Sequence, residues 1–299
     1  MLSGVIPIKE LDTESIVIWE YCSSMEKDCD EIDFLKVRKE VKINQIPGQW
    51  VLGRKDCFTK AYNRMREKNA SYSFYPESFV LPEDMEKLRK FMMEEKRIFL
   101  IKPVNWFSGL GIKITDSIGK IFKHKLFRRV LLLDDILLQG GKYLVQEYID
   151  RPLLIKGRKF DVRLFLLITS VDPLIVYLYN DGLVGLSCEQ FTMDSGELGN
   201  KYVHLSNYNI NKNHDSFNFK EHRWKLSRLW NYLRQEHGVD TDKLWQETRE
   251  VCLKTVFCCL DQLREEAKDK TKSHYNCFKL LSVDIMYDQD LKPWVLEVE

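Results

Sequence analysis

Two carboxylates stand inside apolar strands at the end of this sequence, in the segment FKLLSVDIMYDQDLKPWVLEVE. The apolar runs 280–286 and 294–298 are separated by Asp288, Gln289 and Asp290. Aspartates favour turns, so the segment reads as a hairpin. Asp284 falls within the first strand and Glu297 within the second. A carboxylate in an apolar strand is costly unless it is paired or binds a metal. Two of them on paired strands can share one hard cation, and magnesium takes one or two carboxylates together with phosphate oxygens. Glu299 lies two residues beyond Glu297, on the same strand face, and is a candidate third ligand.

A second constraint comes from KYLVQEYIDRPLLIKGRKFDVR, residues 142–163. A short apolar strand leads into Gln146, Glu147, Tyr148 and Ile149. After a loop, the apolar run 162–168 carries Lys159, Asp161 and Arg163 at its mouth. Alternate residues share a strand face, so two cations flank one anion there. Such a cluster can be a solvated strand edge worth little. It also suits a polyanion with its metal, and the strand carboxylates favour that reading. Upstream, Lys102 ends a strand before Pro103, and a loop with Ser108, Gly109 and Gly111 follows. Glycines let backbone N–H groups approach phosphates closely. No GK[ST] follows, and the third glycine of a dinucleotide fingerprint is missing, so this is neither of those phosphate loops. The order of these pieces points to a nucleotide site assembled between two sheets.

Composition narrows the partners. The chain has 299 residues, 46 basic and 45 acidic, for a net charge of +1. No global bias toward nucleic acid follows, and attraction to an acidic partner must be local. No apolar run reaches the ~20 residues of a membrane span. The first residues lack the layout of a signal peptide. Eight cysteines show no CxxC pair, and we read them as reduced thiols of a cytosolic protein. Cys258 and Cys259 read as packing residues, as do Trp224, Trp230 and Trp245. The pattern predicts a strand at 50–52, a helix through Met65, a strand before Pro82, a helix from Pro82, a strand over 97–102 and a strand pair turning at Asp172–Pro173. It also predicts a long helical section over 222–270. Strands and helices mix without strict βαβ alternation, so the class is α+β with antiparallel pairs carrying the site.

Several segments together resemble the tubulin tyrosine ligase-like family. They are GRKD (53–56), IKP (101–103), GLGI (109–112), VQEYIDRPLLI (145–155), GRKFDVR (157–163), GNKYVHLSNYNINK (199–212) and VDIMYDQDLKPWVLEV (283–298). NQIPGQW, GNKYVHLSNY and HRWKLSRLWNYL are most similar to the polyglutamylase branch. The resemblance implies an ATP-grasp fold: a partial N-terminal unit to residue 50, a central subdomain over 51–157, and a C-terminal subdomain over 158–299 that stops short of a further helix. It implies an ATP- and Mg²⁺-dependent ligase adding free L-glutamate to glutamate side chains of tubulin tails through an acyl-phosphate. The expected protein is a cytoplasmic monomer on microtubules, in a cilium or basal body, with no nucleic acid or membrane partner.

The same resemblance assigns roles. Lys102 and Lys159 would meet the phosphates or adenine. Glu147 and Ile149 would read the base edge by their backbone groups within the hinge Gln146–Ile149. Ser108, Gly109, Phe160, Asp161, Ser206 and Asn207 would lie by the nucleotide. Arg163 and Lys159 would serve catalysis. Tyr208, Asn209, Lys225 and position 185 would frame the free glutamate, and Asp284, Glu297 and Glu299 the magnesium. Three positions depart from the family pattern. Ser108 replaces a basic residue, Glu299 replaces an asparagine, and Gly185 replaces an arginine that would bind the amino acid's carboxylate. Lys201 or Lys225 would have to supply the missing charge. Two readings follow: an active glutamate ligase, or a non-catalytic relative that binds nucleotide, tubulin or both. A ligase with a different acceptor is a third, and the basic run 123–129 could attract an acidic tail.

Overall fold

The computed structural model describes residues 17–18, 34–36, 40–94, 97–106, 109–116, 142–268, 270–271, 273 and 275–299. Ser108, the basic run 123–129, Cys22, Cys29 and the acidic patch 26–33 lie outside them.

The chain opens with β1 (Val17–Ile18), which pairs in parallel with β2 (Lys42–Ile43). Helices α1 (Trp50–Gly53) and α2 (Lys55–Lys68) follow. The strand expected at 50–52 is therefore a helical turn. Val51 and Leu52 are both buried, which a half-exposed strand would not allow, and periodicity cannot settle so short an apolar run. Next come β3 (Ser78–Leu81), α3 (Met85–Glu94), β4 (Phe99–Pro103), β5 (Lys113–Thr115) and β6 (Tyr143–Glu147). They build an antiparallel sheet in the order β3-β6-β4-β5, with α3 packed against it.

The larger sheet is also antiparallel. After β7 (Leu154–Ile155), the long strands β8 (Arg158–Val171) and β9 (Leu174–Leu186) form a hairpin turning at Asp172–Pro173. The sheet runs β10-β9-β8-β11-β12, where β10 is Arg223–Lys225, β11 is Lys279–Tyr287 and β12 is Pro293–Val298. The closing hairpin is formed as the sequence implies. Between β9 and β10 lie three single-turn helices, α4 (Lys201–His204), α5 (Tyr208–Asn211) and α6 (Phe219–His222).

The helical section expected over 222–270 is divided. Residues 223–225 are drawn into the sheet by pairing with 183–185, and Trp224 is buried opposite Val184. α7 (Leu226–His237) then ends at Gly238, where the Val239 N–H bonds back to the Leu233 carbonyl. α8 (Thr241–Lys268) carries Leu244, Thr248, Val251, Cys252, Val256, Cys259, Leu260 and Leu263 on one buried stripe. Spacings of three and four place them on one helix face. Each buried Leu or Val there contributes about 1.5–3 kcal/mol of transfer free energy. Phe160, Val162, Leu164 and Leu166 of β8, together with residues 41–75, complete the same core. Trp230 and Trp245 pack on it, as expected of core residues. The six described cysteines are free. Among the described residues no helix is long and apolar enough to cross a membrane.

Candidate functional site

A cleft lies where the two sheets face each other. From the smaller sheet and the strand end after it come Lys102, Gln146, Glu147, Tyr148 and Ile149. From the larger come Lys159, Asp161, Asp284 and Glu297, with Ser206 and Asn207 from the segment before α5. Strand alternation explains the selection. Lys159 and Asp161 face the cleft, whereas Phe160 between them is fully buried in the core. Phe160, expected by the nucleotide, has its side chain on the opposite face of β8, in the core.

Two buried lysines dominate the electrostatics. Lys102 is 5% exposed and Lys159 is 6% exposed. Lys102 Nζ donates to Gln146 Oε1 at 2.6 Å and to the Leu296 carbonyl at 3.3 Å. Lys159 Nζ donates to the His204 carbonyl at 2.9 Å and to the Tyr148 hydroxyl at 3.3 Å. All four acceptors are neutral, and neither lysine has an ion pair among the described residues. Burial therefore pushes Lys102 down to about 8 and Lys159 down to about 7, against the opposing pull of Glu297 on the first and Asp161 on the second. His204 is held neutral beside them, pushed down to about 4 chiefly by burial. Its Nε2 sits 3.1 Å from the Glu197 carbonyl, so that nitrogen carries the proton and Nδ1 accepts from the Tyr148 hydroxyl at 2.9 Å.

The carboxylates are arranged by strand register. Asp284 is opposite Arg163 on β8 and opposite Glu297 on β12. Arg163 grips Asp284 through two bonds of 2.8 Å and reaches Glu299 at 2.8 Å. Glu297 is paired with Lys55, the first residue of α2, at 2.6 Å. The structure brings Asp284 and Glu297 into one cleft. Among the described residues, no three carboxylate, histidine or cysteine side chains gather as a metal cage, and Glu299 is turned to Arg163. Burial pushes Asp161 up to about 6, with the nearby Asp284 adding to the shift. Asp284 is also raised by burial, against the pull of Arg163.

A second cavity of about 230 Å³ adjoins the cleft and shares Asp161, Ser206, Asn207 and Asp284 with it. Arg163, Tyr208, Asn209 and Arg223 complete its polar lining. Lys225 does not line it, and Lys201 lies instead over the ring of Tyr202. The two lysines expected to replace the arginine absent at position 185 are therefore not in place. Arg223 is: it pairs with Gly185 across β9 and β10.

Other positioning residues left no mark in the sequence. Asn211 is 1% exposed and accepts from the Cys188 N–H at 2.9 Å. It donates to the carbonyls of Leu205 at 2.7 Å and Asn207 at 3.1 Å, which holds the Ser206–Asn207 segment over the cleft. Gly109 has φ +77, and a Cβ there would come within 2.7 Å of Asn207 Oδ1. The glycine loop thus rests directly on that segment.

The chain matches the description "Tubulin-tyrosine ligase family" over residues 35–299. It is 36% identical over 275 residues to the human tubulin monoglutamylase TTLL4, covering 89% of this chain and 22% of that protein. It is 32% identical over 262 residues to the tubulin polyglutamylase ttll-4 of Caenorhabditis elegans, covering 86% of this chain and 41% of that protein. A probable beta-tubulin polyglutamylase of Tetrahymena thermophila is 32% identical over 273 residues, covering 86% of this chain and 21% of that protein. The chain therefore spans less than half the length of these relatives. With the family match covering nearly all of its described residues, this chain belongs to the tubulin-tyrosine ligase family.

Proposed function

We propose that this chain is an ATP-dependent ligase that adds glutamate to glutamate side chains of tubulin tails. The observation that carries this reading is the pair of buried lysines without acidic partners, in the same cleft as two strand carboxylates. Isolated buried cations are costly, and a bound polyanion relieves that cost. The donor set also suits magnesium, which takes carboxylates together with phosphate oxygens. The relatives are named for tubulin glutamylation, which supports the acceptor and the amino acid.

On this reading the fold is an ATP-grasp, with the nucleotide held between the smaller and larger sheets. Lys102 and Lys159 would hold phosphates. The N–H groups of Glu147 and Tyr148 are committed to Glu77 and Ile98, so Glu147 would present its carbonyl and Ile149 its N–H to the base edge. Asp284 and Glu297 would hold Mg²⁺ together. ATP, when bound, supplies the phosphoryl group that activates the acceptor carboxylate. Arg163 and the second cavity would orient the incoming glutamate, and Lys102 and Lys159 would stabilise developing negative charge. The partners are free L-glutamate and tubulin, and the location is the microtubule cytoskeleton, including cilia and basal bodies.

A second reading, a relative that holds nucleotide and tubulin without transfer, is favoured by one observation. Asp284, Glu297 and Glu299 are already paired with Arg163 and Lys55. Radiolabelled glutamate, microtubules and Mg-ATP separate the two. The ligase reading expects label in tubulin that is lost with Lys159→Met. Nucleotide binding without any incorporation by the native chain would establish the second reading.

A further inference from the structure

The face of β8 that carries Asp161 and Arg163 continues with Phe165 and Leu167. Cross-strand partners share that face and widen it. Leu167 stands opposite Tyr177 of β9 and Leu280 of β11, Phe165 opposite Ser282, and Arg163 opposite Leu183. Tyr177 is 59% exposed, Tyr179 63%, Leu280 47% and Leu183 40%. Phe165 and Leu167 are half-buried. α8 packs on the other face of the sheet, with Val162, Leu164 and Leu166. Apolar side chains exposed singly are ordinary, whereas a contiguous row beside a site marks an interaction surface.

Two features indicate what covers this row. It is continuous with the second cavity, because Phe165 and Leu183 line that cavity as well. It is also narrow. Six apolar side chains fall far short of the ~20–30 residues a side of a stable protein–protein interface, so the row suits an extended segment better than a folded partner or a second copy. In a ligase the acceptor's carboxylate has to meet the incoming amine at the cavity, and the residues beside it then lie over the surface that borders the cavity. Leu167 is about 13 Å along the strand from Arg163, which an extended segment spans in about four residues. Side chains two and four residues from the glutamate would face the sheet. Phe165, Leu167 and their cross-strand partners carry no charge, so a carboxylate seated on them would lack a partner while an apolar side chain would be buried.

We propose that this open sheet face seats the acceptor chain, and that it selects a glutamate with a large apolar side chain two or four residues away. The inference rests on the ligase reading above and deepens it by giving the chemistry of the acceptor beyond its reacting glutamate.

The test uses the whole chain with Mg-ATP, radiolabelled glutamate and three acceptors: microtubules and two synthetic peptides. One peptide has a single glutamate among serines. In the other, leucines stand two and four residues to each side of that glutamate. The native chain is expected to use the leucine peptide on the order of 10-fold better in kcat/KM, the effect of burying one large apolar side chain. Tyr177→Ser combined with Leu280→Ser changes two exposed residues outside the cleft. It is expected to erase that preference and to raise KM for microtubules on the order of 10-fold. Its use of the all-serine peptide, KM for free glutamate, binding of a non-hydrolysable ATP analogue and thermal unfolding are expected to stay native. Equal use of the two peptides by the native chain overturns the assignment, as does a leucine preference that survives in the double variant. A native dimer in sedimentation that the double variant abolishes gives the face to a second copy and overturns it too. Microtubule labelling that the double variant matches overturns this assignment and leaves the ligase reading standing. No label in any acceptor overturns the ligase reading, and this assignment with it.

Discussion

Nucleotide binding should take up protons from solution, because the two lysines that would meet the phosphates are held low by burial. Lys159 is pushed down to about 7 and Lys102 to about 8. At pH 8 the free protein thus carries Lys159 about one-tenth charged and Lys102 about half charged. A polyphosphate in the cleft charges both, so binding consumes about 1.4 protons at that pH. The sign follows from the direction of the shift. Lysines whose values rise on binding give an affinity that is full below the free-state values and is lost as pH rises through them. Between pH 7.5 and 8.5 the loss is about 2 kcal/mol, on the order of 10-fold or more in the dissociation constant. Titrating a non-hydrolysable ATP analogue with magnesium in buffers of different ionisation enthalpy reads the proton count directly. Lys159→Met should leave only the uptake due to Lys102, about half a proton at pH 8. Buffer-independent heats and a flat affinity over this range would refute the reasoning, since the lysines would then be charged before any phosphate arrives.

Three further outcomes are expected. Leu164→Ala empties a fully buried position on β8 and should cost about 3 kcal/mol in denaturant unfolding. Arg163→Leu leaves buried Asp284 without its partner and should cost about 3 kcal/mol at neutral pH. In that variant the folded value of Asp284, already raised by burial, rises further above its unfolded one. The penalty is therefore absent at pH below the unfolded value and grows as pH rises toward the folded value, which unfolding curves from pH 4 to 8 will show. Asn211→Ala removes three hydrogen bonds, two of which hold the Ser206–Asn207 segment, and should lower stability by about 2 kcal/mol while weakening analogue binding; unchanged binding would free that segment of any role.

Sequence reading was strongest where local chemistry and periodicity agree. Asp288 and Asp290 between two apolar runs identified the closing hairpin, and the carboxylates within those runs marked it as a site, because a buried charge without a partner is too costly to be incidental. Alternation placed Lys159, Asp161 and Arg163 on one strand face. Period-2 and period-3.6 patterns located most strands and the long apolar stripe of α8. Asp172–Pro173 marked the turn between β8 and β9, whereas the break at Gly238 inside the run 222–270 was not read.

What the sequence by itself determined was the inventory: antiparallel strands, charged residues at their mouths, a hairpin with two carboxylates, and the family those motifs resemble. Tertiary structure alone decided which charges meet. Arg223 lies in a run that reads as helix, yet pairing with β9 makes it a strand and sets it over Gly185. Lys55 sits at the start of a helix more than 240 positions from Glu297, and neither residue signals the other. The fates of the carboxylates, shared between Arg163 and Lys55, and the neutral partners of the two buried lysines depend on register and packing across distant segments. Periodicity reports the face a residue occupies; contact between faces is set by how the two sheets come together in space.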